Sequence, residues 1–223
     1  LLGVKTFFKY LVKTKLIAVN PVQDITMPKS KKSVPSPRDI FSISEIKTML
    51  SIPDLNYAIT YQDRVIMELL YVTGIRESEA NHIRLSHINL EEREIYIHEG
   101  KGKKSGYVAI LPQTKRLLEK VILDKRAFLM KNQHHDFLFV TDVGAPFYKG
   151  KILRLVKKYA QEAGVKKNIT CHSFRHACAT HLHKAQAPIR AIQGLLRHEN
   201  LNTTALYTRQ DISYLRGVID KYH

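Results

Sequence analysis

A mainly α-helical domain with one small antiparallel β-sheet is the fold class this sequence predicts, and three observations predict it. Apolar residues recur at intervals of three and four along much of the chain, the spacing of one helix face. In the middle of the chain the period changes to two, where Ile95 and Ile97 alternate with Tyr96 and His98 ahead of a glycine-lysine turn. Boundary residues punctuate the helical stretches: a capping-box pattern at Ser42 and Glu45, a glycine stop at Gly74, and Pro112 at a helix start.

Taken in order, residues 4–19 place Phe7, Phe8, Leu11, Val12 and Leu16 on one helical face. Between 20 and 39 the pattern breaks. Pro21, Pro28, Pro35 and Pro37 fall among Lys29, Lys31, Lys32 and Arg38, as in an extended basic linker, and a linker that crosses a duplex backbone needs those same charges. Helices are expected from the capping box to Leu50, over about 62–72 and over 77–83. The alternating stretch, the turn over 100–106 and a return strand over 107–111 read as a hairpin with a basic tip. A long helix from Pro112 to about 131, a brief strand over 137–140 and a helix over 148–164 follow, and the remainder reads as successive short helices. The expected division is 1–19, 20–40 as linker, and 41–223 with a C-terminal helix at 211–222. The chain opens in mid-pattern on Leu1, Leu2 and Gly3, as a fragment of a longer protein would.

Charge points to the partner. Lys and Arg number 36 against 20 acidic residues, a formal +16 with a pI near 9.8, which favours a polyanion and nucleic acid first. No stretch approaches the roughly 20 apolar residues of a membrane span, and the start lacks a signal peptide, so a cytosolic protein with no membrane partner is expected. Cys171 and Cys178 form neither a CxxC pair nor a disulfide framework and read as reduced helix-packing residues. His172 and His176 have the spacing of a zinc helix, but the stretch lacks the glutamate of H-E-x-x-H and sets Arg175 between them. Clustered carboxylates for paired cations and a GK[ST] phosphate loop are also missing from the sequence, so no metal or other cofactor is expected.

Five pieces carry the chemistry: TGIRESEA at 73–80, GKGKK at 100–104, HSFRHACATHL at 172–182, LLRH at 195–198 and NTTALYT at 202–208. In this order and spacing they resemble the tyrosine recombinase family, most closely its Xer-like and phage-integrase-like bacterial members, over nearly all of 42–222. The resemblance implies the tyrosine recombinase catalytic-domain fold. It implies Arg76, Lys101, His172, Arg175, His198 and Tyr207 as catalytic residues, and residues 1–19 as the end of a core-binding domain. One departure stands out: the late histidine is usually preceded by glycine in this family, and here by Arg197.

The implied chemistry suits these residue types. Attack of a hydroxyl on a phosphodiester accumulates negative charge on the non-bridging oxygens, and planar, permanently charged guanidinium groups bind such oxygens bidentately. Arg76 and Arg175 are the expected clamp, with Glu79, three positions after Arg76, as a support that fixes its guanidinium. Tyr207 must shed a proton held with a pKa near 10, and His172 is the candidate base. His198 is expected to donate to a non-bridging oxygen, and Lys101 to protonate the leaving 5′ oxygen, a role Lys103 or Lys104 could also fill. Lys29, Lys31, Lys32, Lys103, Lys104 and Arg197 are expected DNA contacts, Arg197 being otherwise merely exposed. Tyr57, Tyr71 and Tyr159 sit in apolar patterns and are read as core or groove residues.

The expected partner is a double-stranded recombination site, on which the family assembles as a tetramer and exchanges strands through a Holliday junction. Two other readings of the same motifs are a type IB topoisomerase-like enzyme and a non-catalytic DNA-binding regulator. In the tail, Ile212, Leu215, Ile219 and Tyr222 form an apolar stripe opposite Arg216, Asp220 and Lys221. Such a stripe packs either on its own domain or, as family resemblance favours, on a neighbouring protomer, in which case removal of 211–223 is expected to leave a folded, DNA-binding protein that no longer forms paired-site complexes.

Overall fold

The computed structural model describes residues 2–25, 40–98, 105–170, 172–197 and 209–223. It divides into two units, Leu1–Val34 and Pro35–His223. In the first, helix α1 (Leu2–Lys13) ends where Thr14 turns its hydroxyl back onto the Tyr10 carbonyl at 2.9 Å. Phe7 and Tyr10 on this helix are exposed.

The second unit starts as its sequence predicts. Ser42 accepts from the Glu45 backbone at 3.1 Å while the Glu45 carboxylate accepts from the Ser42 backbone at 2.6 Å, and this reciprocal cap opens α2 (Ile43–Ser51). Helix α3 (Ala58–Thr73) begins four residues earlier than its apolar period suggests and is buried on nearly every side, the pattern of a central core helix. It packs against α2, against α5 (Pro112–Lys120) and α6 (Arg126–Met130), and against α7 (Lys151–Glu162) and α8 (Ser173–Lys184). A π-helical turn at Val121–Lys125 joins α5 to α6, so the long helix expected from Pro112 is present with one interruption. The helix expected over 77–83 stops early, as α4 (Glu77–Ala80).

The hairpin pairs β2 (Glu94–Ile97) with β3 (Gly106–Ala109), with Ile95 opposite Val108 and Ile97 opposite Gly106. A two-residue strand, β1 (Ile88–Asn89), adds a third member in the order β1-β2-β3 and is too short to show any periodicity. The strand expected over 137–140 forms only isolated bridges, from Phe137 to Arg84 and from Val140 to Pro146. Its backbone finds other partners. The buried Gln62 amide donates to the Val140 carbonyl at 2.7 Å and accepts from its N–H at 2.9 Å, and the Leu138 N–H donates to Ile83 at 2.8 Å. Tyr159 is in the core with its hydroxyl on Asp63 at 3.0 Å, whereas Tyr57 at the N-cap of α3 is exposed, contrary to its apolar context.

The C-terminal helix α10 (Arg209–Tyr222) takes the local one of its two expected positions. Its stripe is covered by its own chain: Ile212, Leu215, Val218 and Ile219 join Val72, Ala109, Leu111, Leu182 and Leu195 in one buried cluster with α9 (Ile189–Leu196). The opposite face is also engaged, through a two-point Arg93–Asp220 pair at 2.7 and 2.8 Å and an Arg216–Glu92 pair at 3.3 Å. β3, α8 and α9 together form an apolar groove in the same chain, so the stripe needs no neighbour to leave water.

Candidate active site

The site is built where three helix ends meet. Helix α3 stops at Gly74, whose left-handed backbone (φ +60°) lets its N–H donate to the Leu70 carbonyl at 3.1 Å. The chain then places Arg76 at the N-cap of α4, with Glu79 at the third helical position. The nearly buried Glu79 carboxylate accepts from the Arg76 backbone N–H through Oε2 and from its guanidinium Nη1 through Oε1, both at 2.7 Å. Four helical residues suffice because the capping carboxylate also grips the side chain it follows. Glu77 ties the same turn to α7 by accepting from the Gly150 N–H at 2.8 Å.

His172 stands at the N-cap of α8 and Arg175 at its third position, a spacing that puts both on one side of the first turn. His172 is exposed, its N–H held by the Thr170 hydroxyl at 3.3 Å and its ring 6.4 Å from that of His176. Arg175 is buried. Its Nη1 donates to the Gly74 carbonyl at 2.7 Å and its Nη2 to the Leu196 carbonyl, so one guanidinium binds the ends of α3 and α9, 101 residues from the first partner. These acceptors are carbonyls rather than a carboxylate, which leaves the positive charge un-neutralised. Burial, and then the neighbouring Arg76 charge, pull its pKa down to about 10, against Glu79 and with a smaller push from Arg197 in the same direction. Arg175 remains charged near neutrality.

A third arginine completes the cluster. Arg197, at the C-cap of α9, has a left-handed backbone (φ 50°, ψ 52°), and its guanidinium forms an ion pair with Glu79 Oε2. Its side chain is only 8% exposed, so the alternative of an exposed arginine does not hold. Sequence reasoning marked this position because glycine is usual there, but the partnership with Glu79 joins residues 118 apart and left no local trace. Cys178 lies beneath the site, its thiol pushed up to about 12 by burial, in the packing role its sequence suggested.

Lys101, Lys103, Lys104, His198, Tyr207 and the linker lysines Lys29, Lys31 and Lys32 lie outside the described residues, as does Cys171. Their flanks are described. Arg197 immediately precedes His198, and Gly106 at the start of β3 is so near that a Cβ there would be 3.7 Å from Arg197 Cδ. The base of the hairpin therefore adjoins the cluster.

Gly74 is required twice, by its φ and by space: a Cβ there would come within 2.4 Å of Leu196 Cδ2. Gly74→Ala is expected to lose about 2–4 kcal/mol of stability, from a left-handed alanine and a displaced core leucine. Chemical denaturation should show a lower midpoint with an unchanged slope. Because both carbonyls that hold Arg175 belong to this contact, the substitution should disturb that side chain too.

Residues 41–213 match the Phage integrase family. The chain is 36% identical to the tyrosine recombinase XerC 2 of Ralstonia nicotianae over 98% of its own length and 62% of that protein's. It is 33% identical to the tyrosine recombinase XerD of Staphylococcus aureus, over 99% of this chain and 73% of the other. Among solved structures, XerA recombinase superposes with a TM-score of 0.64 at 26% identity, over 95% of this chain and 69% of that one. The arginines assembled here thus lie on the fold of these recombinases, and the chain belongs to the phage integrase family of tyrosine recombinases.

Proposed function

We propose that this chain is the catalytic part of a site-specific recombinase that cuts and rejoins DNA through a covalent link to Tyr207. One observation carries the reading: Arg76 and Arg197 bind a single buried carboxylate, Glu79, and Arg175, held by two backbone carbonyls, lies close enough to feel the charges of all three. Like charges repel at close range in a poorly hydrated site, and an anion bound among these guanidinium groups offsets that repulsion. A phosphodiester approaching its transition state is the anion that two guanidinium groups fit best.

In the reaction so read, His172 takes the Tyr207 proton as the phenolic oxygen attacks phosphorus. A 3′-phosphotyrosine bond forms and the bond to the 5′ oxygen breaks. Lys101 at the hairpin tip gives the leaving oxygen its proton, and Arg76, Arg175 and His198 hold the non-bridging oxygens. The phosphotyrosine conserves the energy of the phosphodiester, and a 5′ hydroxyl from a partner duplex reverses the step to complete exchange. The +16 charge supports a duplex partner, with Lys29, Lys31, Lys32, Lys103 and Lys104 as backbone contacts. Two copies on each of two sites, a tetramer, would supply both duplexes, and a cytoplasmic, nucleoid-associated location suits that substrate. No described helix is long and apolar enough to cross a membrane. The exposed apolar face of α1 suits the last helix of a larger upstream core-binding unit, with 20–40 as the linker and 41–223 as the catalytic domain.

The test is trapping. Incubated with nicked duplexes selected from a random-sequence library by binding, the chain should form an SDS-resistant adduct in EDTA, and peptide mass mapping should place the nucleotide on Tyr207. An adduct that needs added divalent metal, or none at all, would refute the reading.

A further inference from the structure

Three facts about Arg197 belong together. Its backbone holds the left-handed conformation that favours glycine, which a bulky residue keeps only when its surroundings over-determine it. Its side chain is nearly buried rather than extended into solvent. It binds the same Glu79 oxygen that accepts from the Arg76 backbone, while the other Glu79 oxygen holds the Arg76 guanidinium.

The charges then decide what Arg197 does. With Arg76 and Glu79 alone, the carboxylate would cancel the nearer guanidinium, and only Arg175 would face a phosphate with uncompensated charge. A second cation on Glu79 reverses this: the carboxylate divides its charge between Arg76 and Arg197 while Arg76 stays fixed in place. We propose that Arg197 is a positioning residue of the phosphate clamp, offsetting the charge of Glu79 so that Arg76 can be both anchored by that carboxylate and available to an anionic phosphate. The inference rests on the phosphate-clamp reading of the site. It assigns Arg197 an action through Glu79 and Arg76, distinct from a direct contact with DNA backbone.

The test compares Arg197→Gly, Arg197→Lys and the double variant Arg197→Gly/Glu79→Gln with the unmodified chain. Two readouts are followed: the rate of adduct formation on the selected nicked duplex, and the rise in melting temperature produced by inorganic phosphate. Glycine takes the left-handed backbone without strain, so Arg197→Gly should melt no lower than the unmodified chain. Its adduct rate should nevertheless fall roughly 10–100-fold, the usual scale for losing a partner that orients a site residue, and phosphate should raise its melting temperature less. The double variant, which removes the charge that Arg197 offsets, should recover most of both losses. Arg197→Lys keeps the cation and should stay nearer the unmodified chain than Arg197→Gly does.

An Arg197→Gly variant indistinguishable from the unmodified chain would overturn the proposal. So would a double variant as impaired as the single one, because a purely structural or direct-contact role predicts no rescue by Glu79→Gln. If Arg197→Gly melts early, the lysine variant decides, and a loss in it equal to that of glycine refutes a charge effect. Should the unmodified chain form no adduct, the recombinase reading fails by itself, and the phosphate arm still judges Arg197.

Discussion

Replacing Tyr207 by phenylalanine is expected to abolish the SDS-resistant adduct and to leave binding of the selected duplex within about three- to tenfold, the range that loss of one hydrogen-bonding hydroxyl covers. The substitution deletes the attacking oxygen and almost no volume. Cleavage should fall by at least about 10⁴-fold, the scale on which covalent nucleophiles are missed. The chain has eleven tyrosines, so an alternative nucleophile is a real competitor. Tyr159 is disqualified by burial and by its bond to Asp63, and Tyr71 has its hydroxyl 2.9 Å from His181 Nδ1 and its pKa pushed up to about 12 by burial. Both are poor phenolates. Gel-shift and denaturing-gel assays on the same samples separate binding from chemistry, and a surviving adduct in the phenylalanine variant would assign the nucleophile elsewhere.

The second large effect is expected at the other end of the domain. Deleting 211–223 removes Ile212, Leu215, Val218 and Ile219, all buried, and uncovers the groove they fill. At about 1.5–3 kcal/mol for each buried aliphatic side chain, the loss is comparable to the roughly 5–15 kcal/mol by which whole domains are stable. The truncated chain should therefore lose its cooperative unfolding transition and near-ultraviolet dichroism instead of remaining a folded DNA-binding protein. Leu215→Ala is the milder probe, with an expected cost of about 2–5 kcal/mol. The Arg93–Asp220 and Arg216–Glu92 pairs are partly exposed and should add little to this, so their removal is a suitable control. A truncated chain that unfolds cooperatively at the same denaturant midpoint would show that α10 is dispensable to its own domain.

Both expectations combine local and long-range information, and they separate what each contributes. The helices were legible because helix periodicity and caps are local: the Ser42–Glu45 box, the Gly74 stop and Pro112 act within a few residues of themselves. The β2–β3 hairpin was legible for the same reason. β1 was not, since two residues carry no period, and the apolar run at 137–140 misled because the backbone of Val140 is bonded by the side chain of Gln62, 78 residues away in sequence, instead of by a neighbouring strand. The apolar stripe of α10 was correctly placed on the helix. Its acceptor surface, assembled from α3, β3, α8 and α9, had no representation along the chain.

The candidate site divides in the same way. By itself the sequence determined the residue types, their order, the family they resemble, and the pairing of Arg76 with Glu79, which is set by the geometry of one helical turn. Only the tertiary structure decided that Arg175 is held by the Gly74 and Leu196 carbonyls, that Arg197 is buried on Glu79, and that Arg76 and Arg197 share that one carboxylate. The physical reason is range. Caps and periodicity act over three or four residues, whereas a charge cluster is made by helix ends that meet only when the core closes, and its energy depends on the water that closure excludes.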